Sequence, residues 1–428
     1  MMGECVTMSE KKNKERRRRE RAKKEEPKVN KISDVKMAYI MYGKKVFIIP
    51  IIIAIILGAI IWGIVYNARK DDAPQETADN QKEQINYIWG EIKPGKKNAN
   101  NYTMVTSSDG IQVPVPTGYT ASSASDENSV NGGFVIYEGT EAVTDSNKWE
   151  AQCNRNQYVW IPIADVSDMY WRDQTTGKKY GTYYNFTESA YTKGANRSYE
   201  PQTTSSDIQS TYLTQYLNGM SREDFLMEME IDFDKMLNSV ATYGGYYIGR
   251  YQAGDLAQAT PVVKRMNSDI GSQNWWQTWK KARKLSGTSA GVQMIWGIQW
   301  DETLKWLIDT GEKTYAEIAS DSTSWGNYYN NSFTYYTNTS RSTATKNLGS
   351  SVRIPSGAYE GANANNVYDL AGNVRDWTLE SYDSGYRYFR GGFYNTDGNY
   401  NPAAYRDYYF PSISNYDNIG LRAAMYIK

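Results

Sequence analysis

The chain has 428 residues, 48 Lys and Arg balanced by 48 Asp and Glu, two cysteines and no histidine. The lack of histidine removes Ser-His-Asp and Cys-His catalysis, histidine-ligated zinc or iron, and any imidazole proton shuttle. The neutral total hides an asymmetry: residues 1–70 hold 17 basic and 7 acidic residues, net +10, leaving 31 and 41, net −10, for the other 358.

Residues 1–45 carry KKNKERRRRERAKK and then Lys44 and Lys45, with no helical apolar face, and read as a solvated basic arm. Nucleic acid is the sharper reading of such a tail, but the next stretch argues against it. The run 46–66, VFIIPIIIAIILGAIIWGIVY, holds no charge between Val46 and Tyr66 and is long enough to cross a hydrocarbon core of about 30 Å as a helix. It exceeds a signal-peptide core and ends in YNARKDD, which predicts an uncleaved anchor. Fifteen Lys and Arg precede it, against Arg69, Lys70 and Lys82 shortly after, so the N-terminus is expected in the cytoplasm and the acidic remainder outside the cell. The basic arm then suits an anionic inner leaflet, while an acidic ectodomain is a poor partner for nucleic acid. Cys5 and Cys153 would lie on opposite sides of the membrane, so no disulfide joins them and the fold must rest on its core.

Residues 67–85 form a polar linker, and a β-rich part spans 86–158. VPVPTGY (113–119), GGFVIYEG (132–139) and QYVWIPI (157–163) read as strands. The Tyr-, Thr- and Gly-rich stretch 164–211 lacks periodicity and is expected to be a long surface insertion. Ser221 caps a helix over 221–242, with Phe225, Met229, Phe233, Met236 and Val240 on one face and Gly244-Gly245 as its stop. YYIGRY (246–251) is the next strand. Ser272 is expected to cap NWWQTWKKARKL, QMIWGIQW (293–300) to be extended, and a further helix to run over 301–310 with Trp300, Leu304 and Leu307 on one side. The tryptophans at helical spacing predict packing. Residues 321–347 read as a polar excursion.

The last sixty residues stand apart. From Tyr382 to Arg422 there is no Lys, Glu, Gln, Met or Trp, while nine of the 37 tyrosines fall in these 41 positions. Two physical readings fit this composition: a paratope-like surface of stiff aromatics and adaptable Asn, Ser, Asp and Gly, or Tyr-rich strands that owe their composition to packing.

NVYDLAGNVRDWT (366–378), YFRGG (388–392) and NIGLRAA (418–424), with GGYYIGRYQAG (244–254) and QMIWGIQWDETLKWL upstream, resemble the formylglycine-generating-enzyme-like (sulfatase-modifying factor) family. The resemblance spans residues 159–428 and implies an α+β C-type-lectin-like fold behind the single anchor. The family's copper-binding cysteine pair has no counterpart after Cys153, and the histidine-bound iron of related sulfoxide synthases has none anywhere. Neither redox chemistry carries over, and no copper, iron or zinc site is expected. The family's calcium loop corresponds to DLAGNVRD, which implies Asp369 and Asp376 with the carbonyls of Gly372 and Val374 as ligands of a structural Ca2+. The alternative is a turn in which Asn373 bonds its own backbone.

A non-catalytic branch of the same fold comprises the variable proteins of diversity-generating retroelements, in which adenine-specific mutagenesis rewrites Asn codons. Such codons keep a pyrimidine at the third base and never specify the five residue types missing here. The reachable sites are Phe389, Phe393, Tyr400, Tyr405, Asp407, Tyr408, Phe410, Tyr416 and Asp417, with Asn395, Asn399, Asn401 and Asn415 unchanged. Thr396, Asp397 and Tyr409 complete the candidate surface, whereas Arg390-Gly391-Gly392, Pro402-Ala403-Ala404, Arg406 and Gly420 are expected to be fixed. The resulting expectation is a membrane-anchored surface protein that binds an external protein or glycan. An enzyme of another chemistry on the same fold and a structural cell-envelope role are the competing readings.

Overall fold

The computed structural model describes residues 91–197, 210–268, 270–382, 386–413 and 416–428. Among these no helix is long and apolar enough to cross a membrane; the basic arm 1–45, the apolar run 46–66 and the linker 67–85 lie outside them.

Strands β1 (Tyr102–Thr106) and β2 (Gln112–Pro116) make a hairpin that leads into β3 (Tyr119–Ala121) and β4 (Val135–Glu138). Helix α1 (Lys148–Asn154) precedes β5 (Gln157–Pro162). Strands β6 (Tyr170–Arg172), β7 (Lys179–Phe186) and β8 (Tyr191–Arg197) form an antiparallel sheet of their own within the stretch read as a surface insertion. That expectation is corrected: Lys179, Thr182 and Tyr184 are buried, the Lys179 ammonium pairs with Asp234 at 2.5 Å, and the Tyr184 N–H donates to Asp301 Oδ2 at 2.9 Å. A loop cannot leave such backbone and charged groups buried unpaired, whereas a sheet anchored on helices can.

Helix α2 (Ser210–Leu217) is followed by α3 (Arg222–Tyr243), where Ser221 Oγ accepts from the Asp224 N–H and Gly244, at φ +83°, ends the helix in the left-handed region. The face carrying Phe225, Met229, Phe233, Met236 and Val240 is buried, as its spacing requires. Strand β9 (Gly245–Gly249) then enters the main sheet, whose order is β10-β19-β9-β5-β4-β3 with β10 (Ala290–Met294) and β19 (Ala423–Ile427) at one side.

Helix α4 (Trp275–Arg283) is capped by Asn274, not Ser272. Ser272 sits at φ +69°, outside the extended range an N-cap needs, while Asn274 Oδ1 accepts from the Gln277 N–H and Gln277 Oε1 from the Asn274 N–H. Trp275 and Trp279 pack face to face at 6.3 Å, and Phe225 of α3 lies edge-on to both. Helix α5 (Gly297–Asp309) begins earlier than expected, because the Gln299 side chain accepts from the Trp296 N–H and starts the helix inside the run read as extended. Its first turns are buried on every side, Asp301 and Glu302 included, so each acid needs a partner.

Helix α6 (Tyr315–Ala319) leads to hairpin β11 (Phe333–Tyr336) and β12 (Thr343–Lys346), short pair β13 (Asn363–Ala364) and β14 (Val367–Tyr368), and then β15 (Arg375–Ser381), β16 (Arg387–Arg390), β17 (Arg406–Tyr409) and β18 (Ile419–Leu421). The last four form a sheet in the order β17-β16-β15-β18, with β15 and β18 parallel.

Candidate ligand-binding surface

The candidate positions fall on the sheet β17-β16-β15-β18 and the loops that leave it. Strand β16 ends at Gly391-Gly392, where a Cβ on Gly392 would collide with the Asn401 carbonyl and the Tyr328 ring. Glycine there lets residues 393–405 fold back closely. Residues 321–347, expected to be a polar excursion, instead hold this loop from beneath. Tyr329 N–H donates to the Thr396 carbonyl at 2.9 Å and Ser322 N–H to the Gly398 carbonyl at 3.2 Å. Tyr328 Oη donates to the Asn401 carbonyl at 2.8 Å, and Asn330 Oδ1 accepts from the Gly398 N–H at 3.0 Å. The Lys346 ammonium, donating to the Tyr328 and Asn331 carbonyls, fastens the segment to itself.

Burial divides the positions in a way composition alone does not. Arg390, Gly391, Gly392, Pro402, Ala403 and Gly420, expected to be fixed, are buried, with Ala404 and Arg406 half-buried. Asn395, Asn399, Tyr400, Tyr408, Tyr409, Phe410, Tyr416 and Asp417 are exposed, and Phe393, Thr396, Asp397, Tyr405 and Asp407 half-buried. Phe389 and Asn401 do not join them. The Phe389 ring is 1% exposed, edge-on to Trp377 at 5.6 Å and 4.1 Å beneath the Arg375 guanidinium, and Asn401 is buried under the loop it closes. Asn415 lies outside the described residues.

The exposed aromatics support one another. Tyr382 stacks on Tyr408 at 4.0 Å, Tyr386 packs on Phe410 at 4.4 Å, and Tyr409 meets Phe410 and Tyr416 at 5.9 and 5.8 Å. Rings that already constrain each other lose little freedom on meeting a partner. Tyr400, 74% exposed, projects alone.

Beside this patch lies a cleft of about 650 Å3, with Asn399, Tyr400, Tyr405, Arg406 and Tyr408 on one side and Tyr184, Asn185, Phe186 and Glu188 on the other. The second wall was missed in the sequence, although the β-branched and aromatic residues of TYYNF (182–186) are a strand signal. Asp301 joins the two walls. Its Oδ1 pairs with Arg390 at 2.6 Å, and its Oδ2 with Arg406 at 2.5 Å and with the Tyr184 N–H. Burial and then the neighbouring Arg406 charge bring the Arg390 guanidinium down to about 10. For Arg406 burial acts the same way, but Asp301 and Glu380 outweigh it and raise its pKa. The Tyr405 phenol, which donates to Asp407 Oδ2 at 3.0 Å, is pushed up by burial and that carboxylate and stays protonated.

Glu302, beside Asp301, accepts from the Tyr184 phenol at 2.9 Å, and burial pushes its carboxyl up to about 7 from 4.5. The unfolded chain therefore releases this proton at lower pH than the fold does. The Glu302 contribution to stability is full below pH 4.5 and is lost as pH rises through 7. Denaturation midpoints measured from pH 4.5 to 7.5 should fall less steeply in Glu302→Gln than in the parent, the difference reaching up to about 3 kcal/mol. Parallel curves would show that Glu302 titrates normally.

Three of the four groups assigned to calcium, Asp369, Asp376 and the Val374 carbonyl, meet nitrogen donors rather than an all-oxygen cradle. Gln252 Nε2 donates to the Val374 carbonyl at 2.6 Å and to Asp376 Oδ2 at 3.3 Å, and Arg422 Nε to the same Oδ2 at 3.1 Å. Asp369 Oδ2 accepts from Ser356 Oγ and the Gly357 N–H, each at 2.8 Å. A Cβ on Gly372, at φ +74°, would collide with the Asn327 carbonyl. Asn373 bonds not its own turn but Asn327, Gln252 and Ile354. The Oδ1 atoms of Asp369 and Asp376 have no hydrogen-bond partner among the described residues, and burial pushes the Asp376 carboxyl up to about 6. With Gln252 and Arg422 in these places the residues do not fit a calcium shell. Millimolar calcium or EDTA is expected to leave the thermal midpoint within about 1 °C; a rise of several degrees with calcium would mean that Gln252 turns aside for the ion.

Residues 277–427 match the model of the sulfatase-modifying factor enzyme 1-like domain. Among solved structures, CarF aligns at 15% identity over 43% of this chain and 87% of its own, with a TM-score of 0.27. PvdO from Pseudomonas aeruginosa aligns at 16% over 43% and 81%, with a TM-score of 0.29. Treponema denticola variable protein 1 aligns at 15% over 76% and 94%, with a TM-score of 0.21. No curated protein matches the chain.

Proposed function

We propose that this chain is a membrane-anchored surface protein whose C-terminal face binds an external protein or glycan non-covalently, and that this face is diversified as in retroelement variable proteins. Residues 46–66 are the anchor in this reading, with the basic arm at the inner leaflet. The observation that supports it is the division by burial: positions set apart by codon logic as changeable lie mostly at the surface, and those set apart as fixed lie mostly beneath it. Tyr400, Tyr409, Phe410 and Tyr416 are the anchors, and Asn395, Asn399 and Asp417 the adjustable polar contacts. The reading is non-catalytic, since the chain has no histidine and no cysteine after Cys153.

The test is the combined replacement of Tyr400, Tyr409 and Phe410 by alanine. Ligands recovered on the full chain from a glycan array or a peptide library should lose at least about tenfold in affinity. Fold stability should change by less than about 1 kcal/mol, because the side chains are exposed. Ligands that ignore the triple replacement would place recognition elsewhere.

A further inference from the structure

Arg250, Arg390, Arg406 and Arg422 each meet a buried carboxylate. Arg375, half-buried at the start of β15, does not: no carboxylate among the described residues pairs with it. Its guanidinium donates once, from Nη2 to Asn418 Oδ1 at 3.3 Å, and its buried Nε has no hydrogen-bond partner. Two rings hold it, Phe389 and Phe393, with centroids 4.1 and 4.2 Å from the guanidinium carbon, so the planar group is positioned before any ligand arrives. Trp377 lies opposite Phe389, and Phe389 opposite Asp407. Side-chain alternation then puts Arg375, two residues before Trp377, and Tyr409, two residues after Asp407, on that same face. Tyr409 packs there with Phe410 and Tyr416 of the exposed patch.

The acids of the segment are engaged elsewhere. Asp407 accepts from the Tyr405 phenol on Oδ2 and from the Tyr408 N–H on Oδ1, and Asp417 Oδ2 accepts from the Tyr394 phenol at 3.0 Å. Burial pulls the Arg375 guanidinium from 12.5 down to about 10, and Tyr405, Asp407 and Tyr416 offset only part of this. A desolvated cation without a counter-ion costs stability, and a carboxylate from outside would supply the missing partner. We propose that Arg375 is a fixed receptor within the binding face for an Asp or Glu carboxylate of a protein ligand; the inference rests on the binding reading above. No described residue accepts from Nη1, which leaves that end of the guanidinium open. Position 375 precedes the segment 382–422, so the cation persists in every variant, while exchange of Phe389 or Phe393 retunes its clamp. The phenyl rings offer no hydrogen bonds to sugar hydroxyls, and the net charge of −10 on residues 71–428 opposes a polyanionic chain.

The full chain, in mild detergent, is panned against a phage library of random linear peptides, with a glycan array that includes sialylated chains in parallel. Recovered peptides should share an Asp or Glu, and resynthesis with Asn or Gln at that position should cost at least about tenfold in affinity. The same exchange measured on Arg375→Gln should cost less than about twofold, because the partner is already gone. On Arg375→Lys, which keeps the charge but not the planar fork, the cost should fall between the two. Equal losses on parent and both variants, peptides without a shared acid, or recovery of glycans alone overturn the inference. If the ligands recovered in those cases still depend on Tyr400, Tyr409 and Phe410, the surface reading survives; if none does, both fall. Should Arg375→Gln fail to fold, the comparison of parent with Arg375→Lys still decides the outcome.

Discussion

Replacing Asp301 by alanine is expected to destabilise the fold by about 3–5 kcal/mol and to disorder the cleft. Asp301 is fully buried in the first turns of α5 and is shared by Arg390, Arg406 and the Tyr184 N–H. Its loss leaves Arg390, itself fully buried, facing Arg406 without the charge that separates them. Desolvation then falls on an uncompensated guanidinium, which costs more than the pair was worth. Asp301→Asn keeps the shape but not the charge, and should fall between parent and alanine. Urea denaturation checks both; a loss below about 1 kcal/mol for alanine would show that Glu380 alone can hold the arginines. Because Asp301 also ties β7 to β17, ligand affinity should suffer even where the chain still folds.

Arg422→Ala should cost a similar amount, about 3–5 kcal/mol, for a different reason. The fully buried Arg422 donates to Asp376 Oδ2 and to the carbonyls of Gly249, Tyr368 and Asp369 at 3.0, 2.9 and 3.0 Å. One side chain thereby joins the end of β9, the turn after β14 and strand β15. Alanine leaves three carbonyls and a carboxylate short of a donor. Arg422→Lys, with one ammonium in place of a planar fork, cannot reach all of them and should recover only part of the loss. Equal midpoints for parent and alanine in urea would contradict this role.

Helix α3 was readable because three local signals coincide: the serine cap, the apolar stripe from Phe225 to Val240 and the glycine stop. Helix α4 was readable in its apolar face but not its cap, since Ser272 is held at φ +69° by a turn whose N–H bonds the Tyr416 carbonyl, a contact distant in sequence. The main strands follow from β-branched and aromatic runs. The polar stretches 164–211 and 321–347 were misread for one physical reason. Their buried groups, Lys179, Tyr184, Asn327 and Lys346, are polar or amphipathic; the first three bond to partners distant in sequence and Lys346 to carbonyls of its own segment, so no apolar periodicity marks them. The candidate site was legible as a segment but not as a shape. Phe389 and Phe393 look alike in sequence, yet one lies in the core and the other at its margin. Nothing local to Tyr405 or Tyr408 announces that β7 closes the far side of their cleft.

On the proposed reading, the exposed face is diversified while the frame beneath it is kept. Sequencing this locus with its flanking DNA across a population of one strain tests it most directly. The account predicts differences clustered at codons of exposed positions such as 395, 399, 400, 408–410, 416 and 417, each with a third-base pyrimidine. It predicts a near-copy of the segment, with adenines at those sites, beside a reverse transcriptase gene. Codons for Arg390, Gly391, Gly392, Arg406 and Arg422 should not change. An invariant segment with no template copy would contradict diversification and leave the aromatic face as a fixed surface.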